Sequence, residues 1–140
     1  MIFDELKKAK MQAFKDKDLD ARAVLEAVIS RCMLQSVELK ASGKELTDQE
    51  TLTNIMKVVK ELEEERISFE QAKRDEKVLS LTNQINFISK FLPKQLTEEE
   101  IRNIISTLED KTMPSIMKYF KTNYQGQCDM GLVSKIAKNL

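Results

Sequence analysis

The chain has 140 residues, of which 41% are hydrophobic and 33% are charged, and its formal net charge is +0. This composition excludes a disordered, highly charged polymer, and the length suits one ordinary domain or two small helical halves. Because the chain contains only 3 Gly and 2 Pro and no alternating runs of β-branched residues, we predict an all-α protein.

Three features of the sequence bear on its compartment. No apolar run approaches the roughly 18 to 20 residues that span a bilayer. Asp4 and Glu5 stand where a signal peptide would carry basic residues. Cys32 and Cys128 form no CxxC motif. Two such cysteines without a secretory signal indicate a protein of a reducing compartment. We therefore expect a cytoplasmic protein that does not associate with membranes.

Four long helices are predicted in the first two thirds of the chain. The first spans about 2–14. The second begins at a cap, either Asp18 or Asp20, and continues to about 40. The third and fourth span about 48–73 and 75–91. Each range carries apolar residues at three- and four-residue spacing, which is typical of a helix with one core-facing side. In the second helix this stripe is predicted to run from Val24 to Val37.

Two stretches between these helices carry boundary signals. Gly43 suits the left-handed position that follows a helix. Thr47 is followed three residues later by Glu50, the spacing of a capping box that starts a helix. We therefore predict a stop and a restart in "ASGKELTDQE".

A domain boundary is predicted at "LPKQLTEEEI". Pro93 lacks a backbone donor and forces Leu92 out of helical geometry. Thr97 and Glu100 then form a second capping box. We predict an N-terminal domain of long helices over 1–92 and a small C-terminal helical bundle over 93–140. The first helix of the bundle is expected to end at about 108, the second to begin at about 114, and the third to run from 129 to the end.

The zero net charge conceals a gradient along the chain. Between Lys44 and Glu76 there are 6 basic and 10 acidic residues, a net charge of −4. From Lys111 to Leu140 there are 5 lysines against Asp129 alone, a net charge of +4. The middle of the chain would repel a phosphate backbone and the tail would attract one.

No residue pattern predicts catalysis, a metal site or a cofactor. The chain contains no histidine, the commonest general base and metal ligand. Cys128 begins a predicted helix, which could lower its pKa, but we interpret it and Cys32 as buried structural cysteines. The acidic run at 61–65 winds around a helix and forms no cage of oxygens. The 7 methionines could line a promiscuous groove, and at helical spacing they are predicted to fill core gaps.

The tail remains the candidate binding surface. Aromatic residues next to lysines can stack bases and hold phosphates, and this pattern nominates Lys118, Lys121, Lys135, Lys138 and Tyr124 for RNA binding. Alternatively, the aromatic and aliphatic side chains only form a core, and the lysines are its solvated side. Under either interpretation, helical spacing predicts that Val133, Ile136 and Leu140 face inward.

The segments "GKELTDQE", "FLPKQLTEEEI" and "YQGQCDMGLVSKIAKNL" together resemble the YqeY family over essentially the whole chain. That family is similar to the C-terminal tail of the GatB subunit of tRNA-dependent amidotransferases. Its pattern, roughly G-x-A-D/N-x-x-x-V, fits Gly126, Asp129 and Val133, with Cys128 in place of alanine. The family's leucine-proline motif before a capped helix matches 92–100.

The resemblance implies an all-helical protein of two parts, whose tail is like the one that helps hold tRNA in the amidotransferase. Carbon–nitrogen ligation with glutamine as amide donor is associated with the family, but its chemistry lies in domains absent here. The chain departs from the family at 113–117, which lacks a Gly-Lys pair, and at Leu62 and Glu63, which replace basic residues. In "GQCD", Gly126 is expected to end one helix and Asp129 to cap the next.

Two functional hypotheses stay open at this point. The first is a non-catalytic, tRNA-associated accessory module linked to glutamine-dependent amidotransferase systems or to translation, and the charge gradient favours it. The second is a protein–protein interaction adaptor that binds no RNA, and the modest net charge favours it. Neither hypothesis involves DNA, a membrane or a cofactor.

Overall fold

The computed structural model describes all of residues 1–140 and contains seven α-helices and no strand, which confirms the all-α prediction. Their bounds are α1 Ile2–Lys15, α2 Leu19–Ala41, α3 Asp48–Gln71, α4 Asp75–Ser89, α5 Glu98–Ser106, α6 Met113–Asn123 and α7 Met130–Lys138. The chain divides into two compact units, unit 1 over Met1–Leu92 and unit 2 over Pro93–Leu140.

The two predicted capping boxes are present in the structure. The Thr47 Oγ1 accepts a hydrogen bond from the Glu50 backbone N–H at 3.2 Å, and the Glu50 carboxylate accepts one from the Thr47 N–H at 3.2 Å. Thr97 and Glu100 exchange the same pair of bonds, each 3.1 Å long. The Thr97 donors also hold the pKa of Glu100 below its ordinary value. Both helices therefore begin where local chemistry satisfies their first N–H groups.

Helices α1, α2 and α3 are each followed by a residue with positive φ, which is a glycine in one case and a lysine in the other two. Gly43 has φ +73, as predicted, and the Lys44 N–H behind it donates to the Leu39 carbonyl at 2.8 Å. Lys17 and Lys73 have φ +56 without being glycine, so α1 and α3 end through left-handed lysines that carry a steric penalty at Cβ. The predicted end of α3 at residue 73 is therefore two residues late.

Unit 1 is organised around α2, which packs against α1, α3 and α4. The buried residues of its core are Leu6, Ala13, Ala21, Val24, Leu25, Val28, Ile29, Cys32, Ile55, Val58 and Ile88. One polar residue inside it is satisfied: the Asn54 amide donates to Gln35 Oε1 at 2.7 Å and to Cys32 Sγ at 3.4 Å. The core position predicted for Cys32 is thus confirmed.

One prediction about the core residues is wrong, and a second is only partly confirmed. Val37 is 68% exposed, because five residues beyond the buried Cys32 the helix has turned roughly 140° away from the core. None of the 7 methionines belongs to the buried residues. Aliphatic side chains fill most of the interior instead, and Met117 and Met130 pack only against the edge of the unit 2 core.

Unit 2 is a three-helix arrangement in which α7 packs against both α5 and α6. Its buried residues are Ile101, Ile105, Ile116, Phe120, Cys128, Val133 and Ile136. Phe120 is the largest of them and is fully buried. This core decides which sides of α6 and α7 are left for solvent.

That the two units fold as separate domains stays a prediction, which limited proteolysis can test. We expect trypsin to cut first near Leu92–Lys94 or at Ser42–Lys44, because these segments lack helical hydrogen bonding. A purified fragment of residues 93–140 should then retain helical circular dichroism. Early cleavage inside α3, with both linkers intact, would contradict the domain plan.

The left-handed lysines generate a second prediction. Lys73→Gly should raise the free energy of unfolding by about 0.5–1 kcal/mol, because glycine has no Cβ to clash at positive φ. Lys57→Gly, at an exposed position inside α3, is the matched control and should lower it by about 1 kcal/mol. Urea denaturation measures both values, and equal losses in the two variants would refute the strain at Lys73.

Candidate nucleic-acid interface

The four candidate lysines lie on two helices that pack together. Lys118 and Lys121 belong to α6, Lys135 and Lys138 belong to α7, and all four are exposed. Their positions on these helices follow from the core. Ile116 and Phe120 are buried and define the inward side of α6. Lys118, midway between them in sequence, therefore lies roughly 180° away around the helix.

The same logic places the α7 lysines. Val133 and Ile136 are buried, as predicted, and Lys138 falls roughly opposite their midpoint. Lys135 and Lys138 are three residues apart and so neighbour each other on the solvated side. The structure thus presents two lysine pairs, one on each helix.

Leu140 does not face inward as predicted. It is 66% exposed. Helix α7 ends at Lys138, with Asn139 as its C-cap, so the residue after the cap no longer follows the helical stripe. The inward face of α7 is therefore shorter than the periodicity indicated.

Tyr124 is half-buried and belongs to an aromatic cluster. Its ring centroid lies 5.7 Å from that of Phe120 and 6.2 Å from that of Tyr119. Its carbonyl accepts a hydrogen bond from the Gln127 N–H at 3.1 Å. These contacts give Tyr124 a structural role at the end of α6, and a role in base stacking stays a prediction.

The "GQCD" turn joins α6 to α7 in the way its residues suggested. Gly126 has φ +74, two residues after the C-cap of α6. The Asp129 carboxylate caps α7 by accepting a hydrogen bond from the Gly131 N–H at 3.0 Å. The Asp129 cap is therefore present as expected, whereas α6 ends at Asn123 and Gly126 lies in the turn after the helix instead of ending it.

Sequence reasoning missed a second function of this turn. The Leu96 N–H donates to the Gln127 carbonyl at 2.7 Å. The Gln95 amide donates to the Gly126 carbonyl at 2.6 Å and to the Pro93 carbonyl at 2.9 Å. These bonds join the start of unit 2 to the turn before α7. Only helix-start chemistry was visible in "LPKQLTEEEI", because the partners lie some thirty positions away.

Cys128 is a structural residue of the same turn. It is 5% exposed, and its thiol contacts the Tyr124 carbonyl at 3.7 Å. Burial raises the pKa of the Cys128 thiol, and the neighbouring Asp129 charge raises it further. Burial likewise raises the pKa of Cys32. Neither thiol has the thiolate character of a reactive nucleophile, so the lowering considered for a helix-start cysteine does not occur.

Charge is unevenly distributed within unit 2. Residues 93–110 hold 2 basic and 5 acidic residues, a net charge of −3, whereas residues 111–140 have a net charge of +4. Three of the acids lie in the first turn of α5, where they also complement the helix dipole. Lys111, exposed in the loop before α6, is a fifth lysine of the basic stretch. A polyanion would therefore be attracted to α6 and α7 rather than to the start of α5.

No group of three or more cysteine, aspartate or glutamate side chains is arranged to hold a metal ion. None of the seven helices is both long enough and apolar enough to cross a bilayer.

The family model described as "Yqey-like protein" matches residues 3–140. This chain, an all-helical protein with an exposed basic α6–α7 surface, therefore belongs to the YqeY family. No curated protein matches it.

Proposed function

We propose that this protein is a non-catalytic, tRNA-associated accessory module of the cytoplasm, linked to glutamine-dependent amidotransferase systems or to translation. The observation that carries the proposal is the set of four exposed lysines on α6 and α7, within a stretch of net charge +4. The family's similarity to the tRNA-holding tail of GatB supports the choice of tRNA as the polyanion.

The non-catalytic part rests on the side chains that would have to perform chemistry. The chain has no histidine, and both thiols are buried with raised pKa values. A thiol in this state has no base to activate it and little thiolate at neutral pH. Amide transfer would therefore be performed by a partner enzyme.

The RNA contact should be electrostatic and independent of sequence. Four lysines that each neutralise one phosphate release counterions, so log affinity should fall with log salt at a slope near −3, roughly 0.7 for each single-strand contact. Replacing Lys118, Lys121, Lys135 and Lys138 together by Glu should abolish tRNA retention at low salt. Because all four side chains are exposed, the core of unit 2 should remain, and circular dichroism checks that Glu in the last turns of α6 and α7 does not unwind them. Filter binding over a salt series measures the slope.

The matched control reverses four exposed lysines of unit 1, namely Lys8, Lys44, Lys57 and Lys77. This variant has the same total charge as the tail variant, so general repulsion is equal in both. It should retain tRNA far better than the tail variant does. Equal loss in both variants would remove α6 and α7 as the contact. A wild type that retains no tRNA at low salt would favour the adaptor hypothesis.

The absence of activity can be tested separately. Purified protein incubated with glutamine should release no ammonia above the buffer level, because no nucleophile is activated. An authentic glutaminase serves as the positive control. Ammonia release that Cys128→Ser abolishes would show that this proposal is mistaken about catalysis.

A further inference from the structure

Helix α2 has a second apolar face that no part of unit 1 covers. Its inner face holds Val24, Leu25, Val28, Ile29 and Cys32, all buried. Its outer face holds exposed residues at alternating spacings of four and three, which we call the outer seam: Ala23, Ala27, Ser30, Leu34, Val37 and Ala41. Leu34 and Val37 are 70% and 68% exposed. These two exposed aliphatic side chains, continued by alanines along one side of the helix, form an apolar strip of the kind that a partner covers.

The spacing identifies the geometry that would cover the outer seam. Alternating steps of three and four residues form the heptad pattern along which two helices pack as a coiled coil. From Ala23 to Ala41 the outer seam is about 27 Å long at 1.5 Å per residue. It contains no Gly or Pro that would bend it. The expected occupant is therefore another straight helix with small and large apolar residues.

A second copy of α2 has the required residues when it runs antiparallel. With a twofold axis level with Cys32, Ala27 lies opposite Val37 of the second copy, and Ser30 lies opposite Leu34. The four central layers then each pair a small side chain with a large one, so the helix separation stays constant over the middle of the outer seam, and only the end layers pair Ala23 with Ala41. A parallel pair would place Ala27 on Ala27 and Leu34 on Leu34, which gives one tight end and one wide end.

The flanking charges also suit the antiparallel arrangement. Beside the outer seam, Glu26 comes opposite Lys40 of the second copy, and the symmetry makes this attractive pair twice. Met33, which is 56% exposed, meets its own copy at the axis. On the other flank Arg31 approaches its own copy, and its ion pair with Glu61 offsets the repulsion. A parallel pair would also bring opposite charges together, with Glu26 facing Arg31, so the pairing of small with large side chains, rather than the charges, selects the antiparallel arrangement.

We propose that this protein forms a homodimer through an antiparallel α2–α2 contact along the outer seam. The contact is isologous, so it closes at two copies and does not propagate. It lies entirely on unit 1 and is independent of the lysines on unit 2. A single pair of helices is a small interface, so dimerisation should depend on concentration.

Sedimentation equilibrium of the full-length chain from about 1 to 500 μM tests the dimer. The wild type should shift from monomer to dimer over this range. The variant L34E/V37E should weaken association by about 100-fold or more, because dimerisation would bury unpaired carboxylates. L79E is the matched control, since Leu79 is 62% exposed on α4 and lies off the outer seam. It should dimerise like the wild type.

A charge swap tests the direction of the helices. E26K and K40E should each weaken the dimer several-fold, and E26K/K40E should restore it, because the attractive pair is re-formed with its signs exchanged. Circular dichroism confirms folding, which surface substitutions should leave intact. A wild type that stays monomeric, or a dimer that L34E/V37E leaves unchanged, overturns the proposal. A dimer insensitive to K40E overturns the antiparallel arrangement.

Discussion

The shared core around Phe120 is the interaction on which unit 2 depends. Its helices have 9, 11 and 9 residues, and isolated helices shorter than about 12 to 15 residues are marginal in water. None of the three can therefore supply its own stability. The exposed lysines hold defined positions only because Ile116, Phe120, Val133 and Ile136 bury the opposite sides of α6 and α7.

The contacts of the "GQCD" turn complete that core. Hydrogen bonds from Gln95 and Leu96 to the carbonyls of Gly126 and Gln127 join the beginning of unit 2 to the turn. A buried thiol and a helix cap occupy the next two positions. The stretch 126–131, which contains two of the chain's 3 glycines, is thus structural, and its chemistry is that of a turn and a helix start rather than of an active site.

Local signals allowed most of the fold to be predicted, and long-range contacts account for what was missed. Thr47 and Thr97 marked their helices correctly because a capping box is complete within four residues. The left-handed Lys17 and Lys73 gave no signal, since lysine has no preference for positive φ. The bonds from Gln95 join residues far apart in the sequence, which no pattern of spacing reveals.

The candidate site was predictable as a set of exposed lysines and no further. Periodicity identified which residues of α6 and α7 face inward, and charge counting identified the basic stretch. Periodicity gave the wrong side for Leu140, which lies beyond the end of α7, and for Val37, which lies on the side of α2 away from the core. Periodicity places Val37 in the core because a helix with two apolar faces produces no single stripe, and only burial separates the inner face from the outer seam.

Whole-chain charge is a poor guide to what such a protein attracts. Charges farther apart than about 8–10 Å are largely screened at physiological salt, so a polyanion responds to the residues nearest to it. The net charge of +0 is the sum of an acidic start of unit 2, a basic end of unit 2 and a nearly balanced unit 1. The lysines that would attract a polyanion lie on unit 2, and the outer seam lies on unit 1. Substitutions can therefore remove one surface and leave the other in place, which makes RNA retention and self-association separable properties of this protein.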